Sequence, residues 1–371
     1  MVPSMVVAWS AMYVLRRWAE HFGLVDCPAG HKAHARPTPA GGGIGIWLGV
    51  VAPLAVGQCV LQWASTSSFP VTLPEIALRH LDGLREQSPK LWLLVGASTV
   101  LMLLGLADDR RGLNWRFRLG VQTVVACVVV AAGWRLSLFV NLPWLTNAVS
   151  VLWIVTLINA FNMLDNMDGL SGGVAAIAAG MLAAVMLLAP DPVTRQPQLF
   201  IAGFLLVLVG SLLGFLSHNR PPATIFMGDA GAYFIGFWIA TGTLMATFAG
   251  EGLPRHAILA PLCVLAVPLY DTASVVLIRL RRRKSPFVGD NNHFSHRLVE
   301  LGLSRTQAVL TIYLTTATTA LGALLLYQVD GTGAVVIGLM VVCVLLLIAI
   351  LETTARSKMR EQQDAGPASD S

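Results

Sequence analysis

Eleven apolar runs, most about 20 residues long, dominate this chain of 371 residues and leave little room for any other organisation. They fall near 1–16, 42–64, 91–107, 118–133, 147–164, 169–189, 199–217, 231–249, 257–278, 308–327 and 333–352. A helix that crosses a bilayer needs about 20 such residues, because only a closed hydrogen-bonded backbone is tolerated in hydrocarbon. Charged residues make up 12% of the chain, against about 25% in an ordinary soluble domain. The expected fold is therefore all-α: a polytopic integral membrane protein of about 10–11 transmembrane helices. The membrane unit is expected over 1–356 and a disordered tail over 357–371. The five cysteines have no paired spacing, so neither a disulfide framework nor a zinc site is expected.

Basic residues orient the spans. The loops on one side carry 19 of the 25 Lys and Arg residues, with the densest run at Arg279–Lys284. By the positive-inside rule that side is cytoplasmic, which places the N-terminus outside and the C-terminus inside. The first run has no basic residue before it and Arg16-Arg17 after it, the order of an N-out span rather than of a secretory signal. The net charge of +5 is thus an orientation signal and no argument for nucleic acid.

The same side carries the polar residues with unusual spacing. Asn159, Asn162, Asp165 and Asp168 step by three at the end of one apolar run. On a continuous helix that spacing keeps all four within roughly a 180° arc, facing one cavity. A converging set of amide and carboxylate oxygens suits a hard cation such as Mg²⁺. The plainer alternative is a capped helix end closing at Gly169. Asp108-Asp109 ends the third run, where adjacent carboxylates repel unless Arg110, Arg111 or a metal compensates. Gly228-Asp229-Ala230-Gly231 opens an apolar helix, so Asp229 reads as an N-cap or a metal ligand. The first loop carries Lys32 and Arg36 ahead of Pro37, Pro39 and Gly41–Gly43; the cations suit phosphate, and the glycines allow close approach of a ligand or a neighbouring helix. The last loop carries Arg281, Asp290, His293 and His296, in which the two histidines read as protonatable donors aimed at phosphate. One-sidedness of this kind favours an enzyme at the membrane surface over a transporter or flippase, whose polar groups sit in broken helices at mid-bilayer.

In that order the motifs resemble the polyprenyl-phosphate N-acetylhexosamine-1-phosphate transferases, glycosyltransferase family 4. The resemblance rests on Lys32 with Pro37 to Gly42, Asp108-Asp109, Asn159 to Leu170, Met227 to Gly231, and Asp290 to His296. The spacing from Asp290 to His296 is similar to the WecA/TagO-like branch more than to MraY, which carries a run of consecutive histidines. Two positions depart from the pattern: Ser295 stands where that branch has a histidine, and Asn166 where the family usually has glycine.

The resemblance implies transfer of HexNAc-1-phosphate, GlcNAc-1-phosphate first among them, from a UDP-sugar to undecaprenyl phosphate, with release of UMP. An MraY-like phospho-MurNAc-pentapeptide transferase is the alternative within the superfamily. It also implies Mg²⁺, or Mn²⁺, held by Asn162 and Asp229. Asp108, Asp109, Asp229, His293 and His296 would be catalytic. Lys32, Asn159, Asp165, Asp168, Arg281 and Asp290 would bind substrate. The setting implied is the bacterial inner membrane, with the site on the cytoplasmic face and a homodimer as the oligomer to expect.

Overall fold

A computed structural model describes residues 1–19, 21, 23–26, 37–64, 75–136, 142–189, 196–246, 254–286 and 292–364. Among the described residues the protein is all-α apart from one two-residue strand pair. The helices are α1 (Val2–Trp18), α2 (Gly42–Trp63), α3 (Glu75–Arg111), α4 (Trp115–Ala131), α5 (Pro143–Leu164), α6 (Leu170–Leu188), α7 (Leu199–Asn219) and α8 (Gly228–Met245). A 3₁₀ turn (Arg255–Leu259) then leads into α9 (Ala260–Val264) and α10 (Ala266–Arg281), followed by α11 (Phe294–Glu300), α12 (Arg305–Leu325) and α13 (Gly331–Asp364). Among the described residues, α2, α3, α5, α6, α7, α12 and α13 are long and apolar enough to cross a membrane. This is a multi-pass membrane protein. The other expected spans coincide with α1, α4, α8 and the α9–α10 segment.

Two expectations need correction. The run 257–278 is not one straight helix: α9 and its leading turn meet α10 at a 68° bend. Pro268 explains the break, since it supplies no N–H and its ring clashes with the carbonyl four residues earlier, at Val264. The helix α13 continues to Asp364, past residue 357 where a disordered tail was expected. Its last turns contain Lys358, Met359, Arg360, Glu361 and Gln362, which are strong helix formers.

The centre of the bundle is α8, buried at every residue from Ala230 to Met245. Lipid is as apolar as leucine, so helices in a bilayer associate by close packing rather than by the hydrophobic effect. Small residues make that possible here. A Cβ at Gly105 of α3 would fall on the backbone of Asp229 and Ala230, and one at Gly236 of α8 on the backbone of Leu157 and Ile158 of α5. Trp238 stacks on Phe204 of α7 at 4.1 Å and donates its indole N–H to the Phe204 carbonyl at 3.1 Å. By contrast α13 exposes Val335, Leu339, Leu346 and Ile350, as a lipid-facing helix does.

Strands β1 (Val25–Asp26) and β2 (Thr38–Pro39) pair antiparallel. Pro39 accepts the Phe226 N–H at 2.7 Å, and Gly42 and Gly43 donate to the Phe226 and Met227 carbonyls at 2.9 Å each. The glycine cluster thus serves close helix approach: a Cβ on Gly43 would meet the backbone of Ala230 and Gly231. Residues 39–43, at the end of the first loop, are thereby fastened to the segment that introduces Asp229.

Candidate active site

The site lies where α3, α4, α5 and α8 end together. The α5 helix stops at Leu164, because Asp165 adopts φ −80°, ψ 58°. The junction then runs to Gly169, whose φ of +78° is left-handed and favours glycine, and α6 begins. Asn219 accepts the Gly169 N–H at 2.8 Å and donates to the Ile225 carbonyl at 2.8 Å, and Tyr313 donates to the Gly169 carbonyl. The expectation of four groups on one helical face is therefore corrected. Asn159 turns to α4, donating to Gln122 Oε1 at 2.7 Å and to the Val155 carbonyl at 2.8 Å. Asn162 faces α8, with its Nδ2 2.5 Å from Asp229 Oδ1. Asp165 and Asp168 lie beyond the helix, and Asp168 accepts the Ala223 N–H at 2.9 Å.

Asp109 caps α8. Its two oxygens accept the backbone N–H groups of Asp229 at 2.8 Å and Ala230 at 3.2 Å, a favourable place for a carboxylate at the positive end of a helix. Gly228, with φ +69°, is the price of that approach: a Cβ there would sit 2.6 Å from Asp109 Oδ2. Asp108 is buried. It accepts the Leu113 N–H at 2.7 Å, the Tyr233 hydroxyl at 3.0 Å and an Arg118 guanidinium N–H. Arg118 also lies 3.7 Å from Asp229 Oδ2. The cation facing Asp108 is thus Arg118, not the Arg110 or Arg111 expected from adjacency. Burial, with repulsion from Asp109 and Asp168, pushes the Asp165 carboxyl up to about 7.

The histidines approach from α11. His293 is its N-cap residue and is buried, its Nδ1 3.0 Å from Asp271 Oδ2 on α10. Asp271 Oδ1 accepts the Phe294 N–H at 2.6 Å. Arg297 ties α11 to α10 and α13 through Ser274 at 2.9 Å and Glu352 at 2.9 Å. His296 is half-buried; burial, then the nearby His293 and Arg305, holds its imidazole below the usual range. Arg281 ends α10 exposed. Lys32 and Asp290 lie outside the described residues. Asp271, Arg118 and Tyr233 also belong to the site's framework, although no motif in the sequence marks Arg118 or Tyr233. For Asp271 a signal existed, since an ionisable residue inside an apolar run is rarely incidental.

Among the described residues no three His, Cys, Asp or Glu side chains converge as a ready metal set. The donor chemistry nevertheless fits Mg²⁺. Asp108, Asp109, Asp165, Asp168 and Asp229 gather at one bundle end with Arg118 as a close cation, and Mg²⁺ is commonly held by one or two carboxylates, with phosphate and water supplying the rest. Asn162 now presents its Nδ2 to Asp229, so its Oδ1 reaches a shared ion only after the amide turns.

The fold and this acidic cluster define a membrane-embedded protein with an oxygen-rich site at one end of its bundle. The family model for glycosyl transferase family 4 matches residues 91–247, which include every acidic residue of that cluster. The chain is 30% identical over 362 residues to a decaprenyl-phosphate N-acetylglucosaminephosphotransferase of Mycobacterium tuberculosis, covering 91% of this chain and 84% of that one. It is 29% identical over 309 residues to a probable undecaprenyl-phosphate N-acetylglucosaminyl 1-phosphate transferase of Bacillus subtilis, covering 81% and 76%. It is 26% identical over 326 residues to the undecaprenyl-phosphate alpha-N-acetylglucosaminyl 1-phosphate transferase of Escherichia coli, covering 82% and 77%. The chain belongs to glycosyl transferase family 4.

Proposed function

We propose that the protein transfers N-acetylglucosamine-1-phosphate from UDP-N-acetylglucosamine to a polyprenyl phosphate, undecaprenyl phosphate in the first instance, and releases UMP. The observation that carries this reading is the Asn162–Asp229 pair inside a carboxylate cluster, in a chain whose relatives are named as polyprenyl-phosphate N-acetylglucosamine-phosphate transferases. An oxygen of the lipid phosphate attacks the β-phosphorus of the sugar nucleotide. The bond from that phosphorus to the bridging oxygen breaks, and UMP leaves with the electron pair. The nucleophile is ionised at neutral pH, so positioning and charge neutralisation suffice and no strong base is required.

Asp229 and Asn162 would hold Mg²⁺, or Mn²⁺, which when bound neutralises diphosphate oxygens and makes UMP a better leaving group. Asp109 fixes the first turn of α8 and so the place of Asp229. Asp108 and the Tyr233 hydroxyl both accept from Arg118, whose remaining N–H groups are the natural contact for the lipid phosphate. Asp165 and Asp168 would shape the nucleotide pocket, with Lys32 expected to join them and Asp290 as a further substrate contact, while Asn159 braces α5 against α4. His293, His296 and Arg281 face diphosphate oxygens. The test is UMP release from purified protein over a panel of UDP-HexNAc donors. UDP-GlcNAc is expected to be the best, and preference for UDP-MurNAc-pentapeptide would replace this reading with the MraY-like one.

The Asp165 shift makes metal binding visible in stability. A carboxyl raised from 3.8 to about 7 binds more protons folded than unfolded, so its contribution to stability falls as pH rises from about 4 to about 7. A bound dication offsets the repulsion that causes this. Mg²⁺ is therefore expected to raise the melting temperature of the detergent-solubilised protein more at pH 8 than at pH 5. An equal rise at both pH values would contradict a dication near Asp165.

We also place the site on the cytoplasmic face of the bacterial plasma membrane, with 1–356 as the membrane catalytic unit. In a cysteine-free background, Asp82→Cys in intact cells should react with a membrane-impermeant thiol reagent, and Arg282→Cys should not. The reverse pattern refutes this orientation.

A further inference from the structure

Asn166 and Ser295 are 129 residues apart in the chain, yet Ser295 Oγ donates to Asn166 Oδ1 at 2.5 Å. The partners are well defined. Ser295 is only 1% exposed, so no water competes for its hydroxyl. The Asn166 Nδ2 donates to the Met163 carbonyl at 2.9 Å, which turns the amide so that Oδ1 is the atom presented to Ser295. The two ends sit at telling places. Asn166 lies in the α5–α6 junction between Asp165 and Asp168. Ser295 lies in the first turn of α11 between His293 and His296. Otherwise α11 packs on α12 and α13, and its side-chain ties run to α10 and α13 through Asp271, Ser274 and Glu352. The Ser295–Asn166 bond joins that assembly to the acidic junction. These are also the two positions at which the motifs depart from the pattern they resemble.

We propose that Asn166 and Ser295 are a positioning pair that sets the separation between the acidic junction and the two histidines, and so the fit of the sugar-nucleotide diphosphate between them. The inference rests on the proposed reaction for the identity of that ligand. A buried neutral hydrogen bond corresponds to about a 2- to 10-fold effect.

The experiment is a double-mutant cycle on the purified full chain with Ser295→Ala, Asn166→Ala and the pair together. UMP release is followed with UDP-GlcNAc varied, then with undecaprenyl phosphate varied. Each single variant is expected to raise KM for UDP-GlcNAc about 2- to 10-fold and to leave KM for the lipid unchanged. The double variant should be no worse than the worse single one, because both remove the same bond. Ser295→Thr, which keeps the hydroxyl, should restore most of the loss. Unchanged donor KM, equal rises in both KM values with a lowered melting temperature, or effects that multiply in the double variant would each overturn the pairing. Absence of UMP release from the wild-type protein overturns the reaction assignment instead. The cycle is then read from calorimetric binding of UDP-GlcNAc, where non-additive weakening supports the pair, and additive weakening or none overturns it.

Discussion

Asp229→Asn is expected to lower turnover by about three orders of magnitude, on the several kcal/mol of charge stabilisation that a metal ion supplies. The substitution keeps the side chain's size and removes its charge. It leaves the capping of α8 intact, because Asp109 accepts the backbone N–H of residue 229 and not its side chain. Removing one of several crowded carboxylates also relieves repulsion, so the melting temperature without Mg²⁺ should stay level or rise. Loss of activity together with retained stability separates a ligand from a structural residue. Near-normal Mg²⁺-dependent UMP release from this variant would contradict the role given to Asp229.

His293→Ala is expected to lower kcat/KM for the UDP-sugar by about 10- to 100-fold, the range for losing a charged hydrogen bond. Its Nδ1 is committed to Asp271, which leaves Nε2 for a diphosphate oxygen. The apparent Mg²⁺ affinity at saturating substrate should change little, since the oxygen-rich cluster lies on other elements. Asp271→Asn keeps an acceptor for the Phe294 N–H and removes the charge facing the imidazole, so it should reproduce part of the same loss. A steep rise in the Mg²⁺ requirement of His293→Ala, with full rescue by excess Mg²⁺, would instead move the histidine into the metal site.

The membrane fold was legible because hydropathy is a one-dimensional property: each span needs its own run of apolar residues, wherever its neighbours are. The site's ingredients were legible for the complementary reason, that ionisable residues bordering such runs are costly to desolvate. Pairing was not legible. Arg118 follows Asp108 by ten residues, and nothing in that interval announces that the turn at Gly112 returns one to the other. Nor does the Asn159–Asp168 spacing reveal that the helix stops at Leu164, which sends Asp168 to Ala223, or that Asn159, still inside the helix, pairs with Gln122. The 68° bend has a local signal in Pro268, which hydropathy masks because the run is apolar on both sides of it. The same apolar run masks Asp271, although the isolation of that carboxylate inside it is a signal.

The proposed reaction moves a sugar phosphate, not a sugar. UDP-N-acetylglucosamine labelled with ³²P at its β-phosphorus tests it most directly, with purified protein, undecaprenyl phosphate and Mg²⁺. The account predicts that the label moves into the lipid phase and that unlabelled UMP appears in equal amount. Labelled UDP in the aqueous phase, with sugar but no label in the lipid, would contradict it.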